Sequence, residues 1–321
     1  MPNIQKINES IDNVVKSLLE FKESLKEADS VVSVLQPQTE SSSPKVVEPE
    51  VVKNASPDDL KDFESLRKAL ESDKWPEAVN PNLICDPTNE QDKLERGRGI
   101  VELMIEPDLK SLKVLDFGCA EGHVAFVASE YEPTVVVGYD CEHNDRWNSF
   151  QKDNLVYTDN WNEVLKNGPY DVIILFDVID HVKNENAVGV LRKAREALSE
   201  EGRIYMRCHP FISRHGTHLY HHLNKAYAHL VFTQEELKTI VPEQKFVEES
   251  INVLFPLRTY DEFLQQANLE IVHRREITSK VDSFFKIPKI AERIMENNAL
   301  DSFPDFQMSL DFIDYVLKKL N

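Results

Sequence analysis

The sequence has no apolar run approaching the roughly 20 residues that a membrane-crossing helix needs, so a span through a bilayer is not expected. Its first residues, MPNIQKINES, lack the basic patch and apolar stretch of a secretory signal, and the chain is expected to stay in the cytoplasm. Cysteine is scarce. Cys85, Cys119, Cys141 and Cys208 are widely spaced and form no CxxC pair, which argues against a disulfide scaffold and against a cysteine-only zinc site. Basic residues are in deficit: 37 Lys and Arg face 56 Asp and Glu, for a formal charge of −19. Such a chain repels phosphate backbones on average and is not expected to bind nucleic acid generally. No repeat of solenoid period is visible.

What is present is enough to fold. A hydrophobic share of 41% over 321 residues can fill one large core or two ordinary ones. The first segment carries its own period. Ile4, Ile7, Ile11, Val14, Leu18, Phe21, Leu25, Ala28, Val32 and Leu35 recur at spacings of three and four until Pro37. An apolar seam this narrow predicts a coiled coil over residues 1–36, joining copies of the chain into a homo-oligomer through residues 4–35. The competing reading is an amphipathic helix docked on its own domain, which usually shows a wider stripe. Residues 37–57 combine Pro, Ser and Glu without helical period and read as a flexible linker. Ser56 and Pro57 resemble an N-cap and first-turn proline opening a helix through Leu60, Phe63, Leu66 and Leu70.

From about residue 90 helices alternate with short strands rich in aliphatic residues: KVLDF (113–117), TVVVGYD (134–140), LVYT (155–158), DVIILF (171–176) and RIYMRC (203–208). Helices are expected at 90–105, 122–131, 185–199 and 259–267. A strand follows at 269–277, a helical insert lies within about 278–306, and a final strand covers 308–319, although DFIDYVLKK fits a helix equally well. This order predicts an α/β, doubly wound, mostly parallel sheet covered on both faces, filling residues 58–321. Residues 58–89 and the insert carry no legible chemistry.

The informative stretch is Asp116-Phe117-Gly118-Cys119-Ala120-Glu121-Gly122, where a buried strand hands over to a helix. There the helix start offers unpaired N–H groups, and small residues let a ligand approach the backbone. Asp140 ends the next strand, where a carboxylate can accept from two ribose hydroxyls, and Asp159, closing the third, could accept from an adenine amino group.

This constellation resembles the class I S-adenosylmethionine-dependent methyltransferases. Their first motif, apolar-apolar-Asp-x-Gly-x-Gly-x-Gly, appears here as VLDFGCAEG with Ala120 at the middle glycine. The likeness continues through Asp140, Asp159, DVIILFDVIDHV (171–182) and LSEEGRIYMR (198–207), covering roughly residues 90–277. It implies a seven-stranded Rossmann-like sheet, bound S-adenosylmethionine, and methyl transfer to a nucleophile on a substrate. Asp116 would hold the amino-acid portion of that donor or its backbone, with Gly118, Cys119, Ala120 and Gly122 as the wall against it. Cys119 reads better as a small turn filler than as a nucleophile. Asp177, at the fourth strand's end, could face donor or substrate. His181 aligns with a pair whose role in the family is more often structural or pocket-lining. A nicotinamide dehydrogenase is the nearest rival, but its third glycine is His123 here, which would obstruct close helix–strand packing.

Residues 202–234 contain no Asp or Glu but hold Arg203, Arg207, Arg214 and Lys225. They also hold His209, His215, His218, His221, His222 and His229. A basic, imidazole-rich surface there favours an anionic substrate group. Three readings stay open for the histidines. One is a general base, with His209 or His215 nearest the strand end. Another is a metal site from His215, His218 and His221 or His222, disfavoured because no Cys, Asp or Glu nearby completes it. The third is ordinary half-buried packing. The expected activity is methyl transfer to oxygen or nitrogen of a small, anionic or sugar-like acceptor, with no resident metal. The alternative is a non-catalytic scaffold that keeps the fold and self-associates through its first helix.

Overall fold

A computed structural model of the protein describes residues 62–80, 88–105, 108–215, 218–241 and 257–320. The coiled-coil and linker segments expected at 1–36 and 37–57 lie outside the described residues. Helix α1 (Phe63–Leu70) starts on Asp62, whose extended backbone and carboxylate cap the Ser65 N–H while the Ser65 hydroxyl accepts from the Asp62 N–H. The helix expected through Leu60, Phe63, Leu66 and Leu70 is thus capped at Asp62, not at Ser56, because the Asp62 backbone is extended; residues 56–61 lie outside the described residues.

Seven strands form one sheet: β1 (Lys113–Phe117), β2 (Val135–Tyr139), β3 (Leu155–Thr158), β4 (Tyr170–Phe176), β5 (Leu198–Cys208), β6 (Leu269–Thr278) and β7 (Leu310–Lys319). Their order is β3-β2-β1-β4-β5-β7-β6. The first five are parallel, and β7 runs antiparallel to both neighbours. The ambiguous C-terminal stretch is a strand because β5 and β6 leave a slot between them whose ladders satisfy it on both edges. The chain winds outward from β1 to β3, then returns to β4 and builds the other half. The crevice between the carboxyl ends of β1 and β4 is thus the topological switch point, where open α/β sheets bind ligands.

One face of the sheet is covered by α2 (Glu90–Met104) and α3 (His123–Ala128) over Val114, Val136, Ile174 and Tyr205. The other is covered by α4 (Trp161–Asn167), α5 (Asn184–Ala197) and α8 (Leu257–Gln266) over Leu115, Val137, Ile173 and Met206. A second core lies apart from the sheet. It joins Leu66 and Leu70 of α1, and Trp75, to Tyr227 and Phe232, to Leu237 of α7 (Gln234–Ile240), and to Phe285 and Ile290. The same core takes Leu230 and Val231 of α6 (Ala228–Val231), Ile294 of α9 (Pro288–Asn297) and Met308 of α10 (Asp305–Ser309). The two segments without legible chemistry in the sequence therefore pack on each other as structural parts of the domain.

Candidate functional site

The turn after β1 is built from backbone that only small residues tolerate. Gly118 has φ +79°, and a Cβ there would meet Val178 Cγ2 at 2.6 Å; Gly122 has φ +95°, and its Cβ would strike the Tyr157 ring at 2.7 Å. Ala120 stands where the glycine pattern has its middle member and also lies at positive φ, +46°. Two side chains hold it. Its N–H donates to Asp140 Oδ2 at 2.9 Å, its carbonyl accepts from Trp147 Nε1 at 2.8 Å, and Trp147 stacks on Tyr157 at 5.6 Å. The Tyr157 hydroxyl in turn donates to the Gly122 carbonyl at 2.6 Å. Cys119 is buried and its thiol is pushed far up by desolvation, so it is a filler of this turn. His123 is buried at the third position of the rival glycine fingerprint, against Glu90 (2.9 Å) and the Phe150 ring.

The residues fit a methyl donor carrying an amino-acid end. Asp116, at the end of β1, is buried, and its Oδ2 has no hydrogen-bond partner among the described residues. Desolvation raises this carboxyl to about 7. An ammonium group placed beside it supplies the missing donor and the counter-charge. Asp140 spends one oxygen on Ala120, which orients the carboxylate and leaves the other for a hydroxyl. Asp159 is exposed just past β3, on the same edge of the sheet.

A second group of polar residues sits at the ends of β4 and β5. Asp177 follows β4 in the left-handed region, φ +54°, which Asp tolerates better than most residues. Its Oδ2 takes the Arg96 guanidinium at 3.1 Å, and its Oδ1 lies 3.2 Å from His209 Nε2. That second approach is an ion-pair contact without hydrogen-bond geometry, so this buried oxygen keeps an open acceptor direction. His209 Nδ1 faces the Asp311 carbonyl at 3.2 Å. Both ring nitrogens thus face atoms that only accept, and the ring is held as imidazolium. Burial opposes that charge, but Asp177 outweighs it and lifts His209 to about 9, while His209 and Arg96 hold Asp177 below the usual carboxylate range. Asp180 lies beneath, fully buried, accepting from the Tyr260 hydroxyl (2.8 Å) and the His209 N–H (2.9 Å). Asp177, Asp180 and His209 bring one donor atom each within 4.8 Å of one another.

The His209 pair has a measurable signature. A ring whose folded value exceeds its ordinary one, about 6.5, stabilises the fold fully below that ordinary value. It loses the contribution as pH climbs through about 9. Histidine NMR titration should give His209 a midpoint near 9. The stability gap between wild type and His209→Gln should be widest below neutral pH and close above 9. An ordinary or lower midpoint would show that the ion pair does not form.

The structure brings His209 and His215 together, with ring centroids 5.1 Å apart. His181, after β4, lies within reach of the charges of both Asp177 and His209. His229 is buried, its Nε2 on the Phe211 carbonyl at 2.7 Å, and desolvation lowers it to about 4; His222 is exposed. The side chains of His218 and His221 lie outside the described residues. The expected basic surface of 202–234 is not one surface. Arg203 turns to the carbonyls of Glu201 and Gly202 at the far end of β5. Arg214 binds Asp282 and the Glu77 carbonyl, and Lys225 binds the Ser72 carbonyl. Arg203 satisfies local backbone, while Arg214 and Lys225 satisfy carbonyls or a carboxylate far away in the chain, which sequence proximity does not reveal. Sequence reasoning missed Arg96, Tyr260 and Asp314, because their partners are 39 to 107 positions away.

The model of a methyltransferase domain matches residues 88–274, which include the turn, Asp140, Asp159, Asp177 and His209. The chain belongs to the S-adenosylmethionine-dependent methyltransferases. S-adenosylmethionine is the methyl donor of this family, and the cradle described above fits it. No curated protein matches the chain. Among solved structures, an S-adenosylmethionine-dependent methyltransferase from Mesorhizobium loti is 15% identical and has a TM-score of 0.43, with 70% of this chain and 96% of that one covered. Another from Archaeoglobus fulgidus is 18% identical, with a TM-score of 0.42 and coverage of 70% and 94%. Magnesium protoporphyrin IX methyltransferase from Synechocystis PCC 6803 is 11% identical, with a TM-score of 0.44 and coverage of 79% and 93%. Among the described residues of this methyltransferase, no helix is long and apolar enough to cross a membrane.

Proposed function

We propose that this methyltransferase modifies an oxygen or nitrogen of a small anionic acceptor, with Asp177, His209 and His215 at the acceptor's reacting end. When bound, S-adenosylmethionine supplies an electrophilic methyl group on a positively charged sulfur. Asp116, Asp140 and Asp159, with the wall of Gly118, Cys119, Ala120 and Gly122, hold it. Positioning of the two partners then supplies much of the rate. The observation that carries the acceptor assignment is the Asp177–His209 ion pair beside His215, at the ends of β4 and β5 and next to the donor turn. Because His209 is held between Asp177 and the Asp311 carbonyl, we assign proton removal from the acceptor to His215, whose ring lies beside that of His209. His209 and Arg96 keep Asp177 anionic, and its open Oδ1 direction can orient the acceptor's O–H or N–H before transfer.

His215→Gln is expected to lower kcat about 10²–10⁴-fold, the usual worth of a general base, with donor affinity unchanged. The experiment is transfer of labelled methyl from S-adenosylmethionine to a panel of small acids, alcohols and amines, alongside calorimetric donor binding. Donor binding without transfer to any acceptor would favour the scaffold reading. Transfer at wild-type rate in His215→Gln would remove that residue from the mechanism.

The heptad pattern of residues 4–35 supports self-association of the enzyme. Deleting residues 1–36 should lower the assembly state while leaving donor affinity intact. An identical mass by light scattering before and after deletion would refute the coiled coil.

A further inference from the structure

A pocket of about 670 Å³ opens between α2 and the far half of the sheet. Its construction follows from strand register. Phe176 of β4 pairs with Arg207 of β5, Arg207 with Asp314 of β7, and Asp314 with Arg275 of β6. Directly paired residues point to the same face, so these four form a row at the carboxyl end of the parallel strands. Phe312 and Ile277, paired with each other two residues along, extend the floor. The roof is a stripe of α2 at helical spacing: Arg96, Gly99 and Ile100, Leu103 and Met104. Leu103 is 75% exposed, an apolar side chain on the lip of this opening.

Charge and shape both restrict what fits. Arg207 and Arg275 share a single carboxylate: Arg207 binds Asp314 through Nε (2.5 Å) and a terminal nitrogen (2.8 Å), and Arg275 binds Asp314 Oδ2 at 2.5 Å. Glu276 on the rim is committed to Arg274 at 2.7 Å. Arg96 binds Asp177. Arg207 and Arg275 thus have one carboxylate between them, leaving one positive charge over in this row, and the Arg275 side chain is 48% exposed. The walls are flat. The Arg207 guanidinium lies 3.8 Å from the Phe312 ring centroid and 5.0 Å from that of Phe176.

The glycines of α2 add an independent observation. A mid-helix glycine costs about 0.5–1 kcal/mol relative to alanine, so each invites a reason. Gly97 has one: a Cβ there would press on the His123 carbonyl at 3.3 Å, where α2 and α3 approach closely. Gly99 has no such neighbour, since an added Cβ would meet nothing within 4 Å. What it leaves open is the pocket.

We infer that this pocket receives the acceptor's body, and that the acceptor is a flat, apolar carboxylate: its ring system lies between Phe176, Phe312 and Ile277 below and Ile100 above, and its carboxylate meets Arg275 and Arg207. The inference rests on the acceptor assignment under Proposed function. It adds the chemical class and the place. The volume lies within the usual range for small-ligand sites, about 300–1,000 Å³, and exceeds the needs of a single ring. Phe176 immediately precedes Asp177, and Phe312 touches His209 (ring centroids 5.7 Å), so a molecule held here extends directly to the reacting end.

The test uses 2-naphthoate and its neutral counterpart 2-naphthalenemethanol as probes of the full-length protein, with binding read by calorimetry in the absence of donor. Naphthoate should bind at least ten-fold more tightly than the alcohol. Arg275→Gln should erase most of that preference. Gly99→Leu, which fills the pocket from a position where helical backbone accepts any side chain, should abolish naphthoate binding and leave S-adenosylmethionine affinity and the melting temperature at or above wild type. Equal binding of the two probes, or naphthoate binding that survives Gly99→Leu, overturns the pocket assignment. Methyl transfer is then read with hydroxylated and aminated aromatic acids against the matching alcohols. Transfer to the acids, lost in Gly99→Leu, supports the assignment. Transfer confined to acceptors without a carboxylate, undiminished by Gly99→Leu, overturns it while leaving the enzyme a methyltransferase with its proton-handling residues. Absence of donor binding in wild type would instead strike the reading on which this one rests.

Discussion

Asp140→Ala should bind S-adenosylmethionine about 10–100-fold more weakly than wild type. Hydrogen bonds to a charged acceptor are worth about 1.5–3 kcal/mol, and every 1.4 kcal/mol is tenfold in affinity. Two interactions disappear together. The ribose loses its carboxylate, and the Ala120 N–H loses the 2.9 Å bond that fixes a residue in left-handed backbone. Asp140→Asn separates them, because an amide oxygen still accepts from Ala120 but carries no charge; it should fall between the other two proteins. The Ala120 carbonyl remains tied to Trp147, so the fold should hold in both variants, with melting temperatures close to wild type. Calorimetric titration decides the matter. Unchanged affinity in Asp140→Ala would place the donor somewhere else on the domain.

The second large effect concerns stability. Trp75→Ala should cost about 3–5 kcal/mol, the usual range for removing a large aromatic from a core. Trp75 is 1% exposed, stacked on Phe232 at 5.7 Å and packed on Phe284 and Phe285, and its Nε1 donates to the Ala226 carbonyl at 2.9 Å. For a domain of this size each kcal/mol shifts the melting temperature by about 2–4 °C, so a fall of roughly 6–20 °C is expected. Trp75→Phe keeps most of the apolar contact but strands the buried carbonyl, and should lose less. The variant also reports on function, because the same core anchors residues 211–241, which carry His215. A shift of only a degree or two would show that the segment before α2 is not part of the folded domain.

The residues proposed to hold the donor were legible in the sequence because their determinants are local. Asp116 through Gly122 occupy one strand–turn–helix, and Asp140 and Asp159 each stand at the first position past a strand that its own β-branched run announces. Once the strands are placed in a parallel sheet, their carboxyl ends must meet along one edge, so no side-chain detail was needed to gather these residues. Gly118 and Gly122 were readable for a similar reason: positive φ is a demand that the backbone makes of the residue itself.

The residues proposed to meet the acceptor depended on contacts between distant positions. Nothing near Arg207 announces that Asp314 will lie opposite it, because β7 enters the sheet between β5 and β6 from the far end of the chain. Nor does the run of histidines and cations after β5 show that Arg214, Lys225 and His229 make contacts elsewhere in the domain while the rings of His209 and His215 meet. Side chains carry their chemistry in the sequence, but their partners are chosen by strand register and helix packing, which are properties of the whole domain. Sequence alone determined the parallel sheet, the small-residue turn and the carboxylates along its edge. Tertiary structure alone decided which charges meet, and so which residues hold a proton, which hold the fold and which line an opening.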